Sequence, residues 1–263
     1  MNKLLGLSLL LISNTVLAAG GMEPRHVVSA TGSSGIADSN FLGSNGAGWA
    51  YNSHSKVVLG AGTTTSNFSA FNYQGGLALG NSKVGGGILA TYVPATTLTV
   101  GGFSVTTPAT LGALAGLGFD LKTVAVGVNA NMTISPTFAL GSIVPGILIN
   151  PDGKIRIGAN FATVSNLIGA GVAADLGNNF VLAGDITTPT SGIFSTWTIT
   201  PGLKYISNGE RFTLAGNYAL TRTAAATTGT IGAALAAQIG MANYLTLSTT
   251  GFTSYALSFA IKI

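Results

Sequence analysis

Histidine is the side chain that most often serves in acid–base catalysis, and this 263-residue sequence contains two, His26 and His54. Ser53, His54 and Ser55 are consecutive, and consecutive side chains on a strand point to opposite faces. No carboxylate that could orient the His54 ring is near it in the sequence. We therefore expect that the protein is not an enzyme and that His54 has a structural or loop role.

Metal, cofactor and nucleic-acid binding are also unsupported by the residue types present. The sequence has no cysteine, no histidine pair at helical spacing and no tight acidic cluster. Gly85, Gly86 and Gly87 are not followed by the Gly-Lys-Ser/Thr of a phosphate loop. The net charge of +4 is dispersed and contains no basic run. We expect no cofactor, no metal and no nucleic-acid partner.

The remaining polar candidates occupy every second position of short segments, where they share one face of a strand. That face carries mostly Thr, Ala, Gly, Ser and Asn, with few charges and no ring of like charge. Strongly ion-selective pores present such rings, so this pattern favours a weakly polar interior. The predicted lumen-lining residues are Asn129, Arg156, Asn160, Asp185, Lys204, Asn217, Gln238 and Lys262.

The elements that must position these residues follow from a two-residue hydrophobic period that begins at Lys56. Within residues 212–220, Phe212, Leu214 and Tyr218 alternate with Thr213 and Asn217. The final segment, residues 255–263, alternates in the same way up to the chain terminus. A period of two is typical of strands with one apolar and one polar face.

Composition decides what kind of sheet these strands form. Charged residues make up 7% of the chain, against about 25% in ordinary soluble domains, and hydrophobic residues make up 47%. No stretch after Ala18 is long and apolar enough for a spanning helix, which needs about 20 residues. Only helices and closed barrels satisfy the backbone in lipid. The predicted fold is all-β: a membrane-spanning, closed, antiparallel up-and-down β-barrel. A secreted sandwich or solenoid, the rival fold, normally carries more exposed charge.

Residues 56–263 accommodate about 14 strands, at roughly 15 positions for each strand and its turn. Twelve strands is the next alternative, because Gly75-Gly76 and Pro145-Gly146 could be bulges or breaks. Hairpin chemistry separates the segments, as at Pro151-Asp152-Gly153 and Gly177-Asn178-Asn179. We expect aromatic residues near the segment ends to face outward at the membrane boundary: Tyr92, Phe119, Phe180, Tyr205, Phe212, Tyr244 and Tyr255.

The N-terminal part of the chain differs from the rest. Residues 1–18 have the basic start, the short apolar run and the small residues of a cleaved secretory signal peptide. Residues 19–55 are rich in Gly, Ser, Asn and Ala and show weak periodicity. We expect an irregular segment that either lies outside the barrel or folds into its lumen as a plug.

The signal, the repeated hairpins and the alternating final strand resemble bacterial outer-membrane β-barrel proteins over nearly the whole chain. The resemblance implies export to the outer membrane, contact with its lipid, and recognition of the C-terminal strand by the barrel assembly machinery. That family usually ends in an aromatic residue, where this chain has Ile263. A narrower stretch, from Gly35-Ile36-Ala37 to Asn45-Gly46-Ala47-Gly48 and on to Asn52, is similar to the leader of the long-chain fatty-acid outer-membrane transporter family. That family has 14 strands and a plug, and its leader normally reads Asn-Pro-Ala-Gly.

Two functional hypotheses follow. The first is a pore for passive passage of small, neutral or mildly apolar solutes through a lumen lined by Thr, Asn and Gly. The second is a non-conducting barrel that structures the envelope or binds a partner with its loops, of which residues 106–110, 188–192 and 221–230 are rich in Thr. The sequence leaves the solute and the oligomeric state open.

Overall fold

A computed structural model describes residues 36–37, 45–51, 55–63, 71–81, 83–100, 103–193, 195–240 and 243–263. The predicted signal peptide, residues 1–18, and both histidines, His26 and His54, lie outside these described residues. Within them the helical structure consists of two short 3-10 helices, Gly46–Tyr51 and Asn208–Glu210. No helix in the described ranges is long and apolar enough to cross a membrane.

Fourteen strands form a closed barrel in which each neighbouring pair is antiparallel, so the predicted fold class and strand number are confirmed. A separate two-stranded sheet is formed by β4 and β5. The strands are β1 Lys56–Thr63, β2 Phe71–Gly80, β3 Val84–Val93, β4 Thr96–Val100, β5 Phe103–Thr107, β6 Thr110–Asp120, β7 Val124–Ser135, β8 Ala139–Ile149, β9 Ile155–Ala162, β10 Leu167–Gly177, β11 Phe180–Pro189, β12 Trp197–Ile206, β13 Phe212–Arg222, β14 Thr227–Ile239, β15 Asn243–Thr250 and β16 Ser254–Lys262.

The barrel closes between its first and last strands. β1 pairs with β16 over its whole length, from Lys56 opposite Lys262 to Thr63 opposite Tyr255. The Ile263 amide then donates a hydrogen bond of 3.0 Å to the Ser55 carbonyl. Closure leaves the barrel without an unpaired sheet edge, which is the condition for placing a β-sheet in lipid.

Alternation along each strand separates an apolar outer surface from a polar, small-residue interior. On β13 the side chains of Phe212, Leu214 and Tyr218 are exposed, whereas Thr213 and Asn217 are buried. The other barrel strands show the same division, with large aliphatic side chains exposed on the outside. An outer surface of this kind is suited to hydrocarbon, because lipid imposes no penalty on exposed Leu, Ile and Val.

The β4–β5 hairpin was not anticipated from the sequence. It is inserted between β3 and β6, which pair directly with each other in the barrel wall. Thr97 and Thr106 face each other across the hairpin, and their hydroxyl oxygens are 2.9 Å apart. The Thr-rich stretch at residues 106–110 therefore ends one hairpin and begins β6, where the sequence indicated only a loop.

The two sites of expected bulges behave differently. Gly75 and Gly76 lie in unbroken register with both β1 and β3, so the proposed break at this point is wrong. Pro145 pairs with Val128 of β7, but on its other side the β8–β9 pairing extends only from Gly146 to Ile149. Proline has no amide hydrogen to donate to a neighbouring strand, which explains why the ladder stops beside it.

Hairpin chemistry explains the short turns at the end of the barrel that holds the chain terminus. Asn178 and Asn179 connect β10 to β11, and their φ angles of 49° and 71° are the positive values that a two-residue hairpin turn requires. Most charged residues of the described strands and turns also lie at this end, including Lys83, Asp120 and Lys154. The opposite loops carry almost none.

The outward aromatic residues include a contiguous group near the short-turn end. The ring centres of Phe180 and Tyr205 are 5.1 Å apart, and those of Tyr205 and Phe212 are 5.9 Å apart. The prediction is wrong for Tyr244. Tyr244 lies two positions from buried Thr246 and therefore faces inward. It packs against the interior cluster that contains Ala236 and Ala260.

Candidate functional site: the barrel lumen

The predicted lumen residues fall on the inward faces of their strands. Asn129, Asp185, Lys204 and Asn217 are buried there. Arg156, Asn160 and Gln238 also lie on the inward faces and are partly buried. Lys262 is exposed at the end of β16. The residues are distributed around the wall, on β7, β9, β11, β12, β13, β14 and β16, and do not form one cluster.

Lys56 is an inward residue that sequence reasoning missed. It opens β1, is buried, and lies directly opposite Lys262 on β16. It is two positions before buried Val58 and therefore shares its face. Two lysines therefore lie side by side where β1 meets β16.

The N-terminal segment contributes to the lumen through residues 36–37 and 45–51, which we call the leader. Its anchor is Asn45, a buried residue that the sequence resemblance includes but that was not among the predicted lumen-lining residues. The Asn45 side-chain amide donates to the Ile36 carbonyl at 2.8 Å and to the Ile147 carbonyl of β8 at 3.0 Å. Its side-chain oxygen accepts from the Ala47 amide at 3.0 Å. One side chain thus joins two parts of the leader to the barrel wall.

Asp185 holds the other described end of the leader. Its carboxylate accepts a hydrogen bond of 3.1 Å from the Ile36 amide, across 149 positions of sequence. Ile36, Ala37 and Asp185 are all buried. Asp185 therefore acts here as a leader contact.

Trp49 is the largest leader side chain, and it is fully buried. Its indole nitrogen donates a hydrogen bond to the side-chain oxygen of Asn129. The ring belongs to an apolar cluster with residues from β1, β2, β3, β6, β13, β14 and β16: Val58, Ala78, Leu89, Leu114, Ala215, Ala234, Ala236 and Ala260. Trp49 therefore connects wall segments that do not pair with one another.

Inward glycines of the wall make room for the leader, and we call them the glycine seat: Gly87, Gly116, Gly118, Gly127, Gly146 and Gly158. Several are cross-strand neighbours, since Gly118 lies opposite Gly127 and Gly127 lies opposite Gly146. A Cβ atom on Gly118 would lie only 2.6 Å from the Ala50 nitrogen. Glycine is needed at these positions because leader backbone, or the Asn45 and Trp49 side chains, lie in the space that a wall side chain would fill.

Tyr51 ends the leader helix near the short-turn end. Burial raises the pKa of its hydroxyl, and the Asp120 and Asp152 carboxylates add to that effect. The phenol is therefore neutral throughout the physiological pH range. In the parts of the chain that the structure describes, no group of three or more His, Cys, Asp or Glu side chains could hold a metal ion.

Replacing Asn45 with Ala is expected to loosen the leader. The change removes both donors and leaves the buried Ala47 amide without its acceptor, at a cost of about 2–4 kcal/mol to leader docking, since each unsatisfied buried group costs about 1–3 kcal/mol. Limited proteolysis of the folded barrel should then cleave the leader faster. Asn45→Asp, which keeps an acceptor but loses the donors, should show a similar increase. Asn81→Ala, in an exposed turn, is the control, and equal cleavage in all variants would contradict an anchoring role.

Together the fold and the lumen define a closed, 14-stranded porin-type β-barrel whose interior is partly occupied by its own N-terminal segment. No protein-family model and no curated relative matches the chain. Among solved structures, the chain is similar to the CymD monoaromatic hydrocarbon channel, with a TM-score of 0.64 and 11% identity over 94% of this chain and 98% of that one. It is also similar to a deletion mutant of the monoaromatic hydrocarbon channel TodX, with a TM-score of 0.57 and 10% identity over 82% of this chain and 91% of that one. At these identities the likeness concerns the fold.

Proposed function

We propose that the protein is a channel of the bacterial outer membrane that passes small, neutral or mildly apolar solutes by diffusion. The observation that carries this proposal is the lumen wall, whose buried inward positions are mostly Ala, Thr, Ser and Asn, with few charges. A wall of this kind offers hydrogen bonds and small apolar patches but little to attract ions. The names of the two structural neighbours, both monoaromatic hydrocarbon channels, agree with mildly apolar cargo.

The location and the partners are part of the same proposal. The apolar outer surface would contact outer-membrane lipid, and the aromatic group around Tyr205 would lie at one membrane boundary. The last strand, β16, would be the segment that the barrel assembly machinery recognises before it pairs with β1. The proposal includes no catalytic step and no cofactor.

The leader favours a second candidate, a barrel that does not conduct. Trp49 is fully buried in a cluster that includes side chains from both β6 and β13. A leader packed this firmly could close the lumen permanently, leaving a structural or partner-binding surface barrel. The two candidates differ in whether solutes cross the folded protein at all.

Solute flux through proteoliposomes separates these candidates. We expect the mature protein to pass a small neutral sugar faster than a size-matched anion or cation. Lys204→Glu should raise cation over anion permeation severalfold and leave neutral flux unchanged, because it reverses a buried lumen charge. Lys204→Met shows the effect of losing the charge, and Lys83→Glu, at an exposed turn, is the control. A correctly folded barrel that passes none of the three solutes would favour the non-conducting candidate.

A further inference from the structure

Four hydroxyl side chains lie together on the inward face of the wall formed by β13 to β16. Thr246 on β15 lies directly opposite Ser258 on β16 and, on its other side, opposite Ala236 of β14. Ala236 in turn lies opposite Thr213 of β13. Ser248 is two positions from Thr246 on the same face of β15. We call Thr213, Thr246, Ser248 and Ser258 the hydroxyl row.

Each member of the hydroxyl row is at least nine-tenths buried. The exposed fractions are 0% for Thr213, 1% for Thr246, 3% for Ser248 and 1% for Ser258. Not one of the four hydroxyl oxygens has a hydrogen-bond partner in the structure. Buried hydroxyls are normally bonded, because leaving one unsatisfied is unfavourable. Four such groups on the wall formed by β13 to β16 would gain stability from a hydrogen-bonding partner.

The surroundings of the hydroxyl row are small and apolar. Ala234 and Ala236 lie between its members on β14, and Ala260 lies two positions beyond Ser258. The same alanines belong to the cluster that contains Trp49, against which Tyr244 packs. The side chains around the row are small, and the Tyr244 ring packs against the same cluster and adds apolar surface.

We propose that the hydroxyl row is a binding subsite for a neutral solute that carries one hydroxyl or carbonyl oxygen on an apolar body. This inference rests on the proposed channel function and specifies its solute class. The oxygen would bond to the row, which can both donate and accept, and the apolar body would lie against the alanines and the Trp49 ring. No carboxylate belongs to the described row, so it offers a cation little stabilisation. A solute without oxygen would leave the hydroxyls unsatisfied.

Trp49 makes this subsite measurable. The chain has two tryptophans, and Trp197→Phe leaves Trp49 as the reporter. A brominated solute that reaches the alanine cluster should quench Trp49 fluorescence by contact. The probes are 4-bromobenzyl alcohol and 1-bromo-4-ethylbenzene, which have the same number of heavy atoms and differ in the hydroxyl group. Both are titrated against the full mature chain in nanodiscs, and their ratio is compared between variants, so that partitioning into lipid cancels.

We expect the alcohol to quench at lower concentration than the ethylbenzene. Thr213→Val and Thr246→Val should each raise the half-quenching concentration of the alcohol about fivefold, and the double variant more than tenfold, since a hydrogen bond contributes about 1 kcal/mol. The ethylbenzene should be unaffected. Thr198→Val is the matched control, because the Thr198 hydroxyl is already paired with that of Thr221 at 2.9 Å.

Three results would overturn the subsite: no quenching by either probe, equal quenching by both, or an alcohol selectivity that Thr213→Val and Thr246→Val leave as it is in the control. The last two would mean that the row holds ordered water or nothing that recognises solute. Flux measured on the same variants keeps the two proposals apart. If solutes cross but quenching does not depend on the hydroxyl group, the subsite is rejected and the channel proposal stands. If quenching depends on the hydroxyl group but no solute crosses, the channel proposal is rejected and the row remains a binding site.

Discussion

A chain that begins at Asn52 is expected to show stable single-channel conductance several times larger than that of a chain that begins at Ala19. The deletion removes Asn45 and Trp49, and with them the leader contacts to β7 and β8. It spares Ser55, whose carbonyl accepts from the Ile263 amide where the barrel closes. The barrel's own strand pairing is untouched, so the wall should remain folded around an emptier lumen. Planar-bilayer recording of the two refolded proteins gives the comparison.

A shorter deletion provides the control for this result. Removal of residues 19–34 retains every described leader contact, including Ile36 to Asp185. Its conductance should equal that of the intact chain. If the longer deletion folds but remains silent, the described leader is not what limits conduction, and the non-conducting candidate gains support. Gel electrophoresis of unheated and heated samples shows whether each barrel is folded, because the folded and unfolded chains migrate differently.

The barrel could be predicted from the sequence because the information that specifies it is local. A two-residue period such as that of Phe212 to Leu220 assigns each side chain to a face without reference to any partner. Lipid then leaves a single way to satisfy the backbone of many short strands. The strand number followed from segment length, and the turns followed from residues such as Asn178 and Asn179 that accept positive φ.

The leader contacts could not be predicted in the same way, because they join positions far apart in the chain. The Ile36 amide meets Asp185, and the Asn45 side chain meets Ile147, 102 positions away. Neither contact leaves a periodic signal. Tyr244 shows a related limit: it is the second residue of β15, where the inward or outward assignment depends on where the strand starts.

The departure of the leader from the fatty-acid transporter pattern has a structural reason. The resemblance has proline where this chain has Gly46, and a Cβ atom at Gly46 would lie 2.6 Å from the Val128 Cα atom. Any side chain there, proline included, would strike the backbone of β7. With a proline at position 46, the leader could not lie as close to the wall as it does in this chain. Gly127, on the same strand as Val128, leaves space for the Gly46 carbonyl.

A substitution in the glycine seat is expected to have the second large effect on conductance. Gly116→Val is expected to displace the leader, because a side chain at this inward position would occupy the place of the Trp49 ring. Overpacking of this kind costs about 1–3 kcal/mol or more. Valine itself suits a strand better than glycine, so the barrel wall should not be weakened. In the Trp197→Phe background, Trp49 emission should shift to longer wavelength, leader proteolysis should accelerate, and conductance should rise toward that of the deletion.

Gly184→Val is the matched control for this substitution. Gly184 lies in the middle of β11 on the outward face that it shares with exposed Leu182, and a Cβ atom there meets nothing within 4 Å. The same chemical change should therefore leave Trp49 emission, proteolysis and conductance as they are. If Gly116→Val also leaves all three unchanged while the barrel folds, the wall tolerates a side chain beneath Trp49, and close packing against glycine is not what holds the leader. A shift in Trp49 emission without a rise in conductance would instead separate the two roles: the glycines would seat the tryptophan, and Asn45 and Asp185 would retain the leader in the lumen.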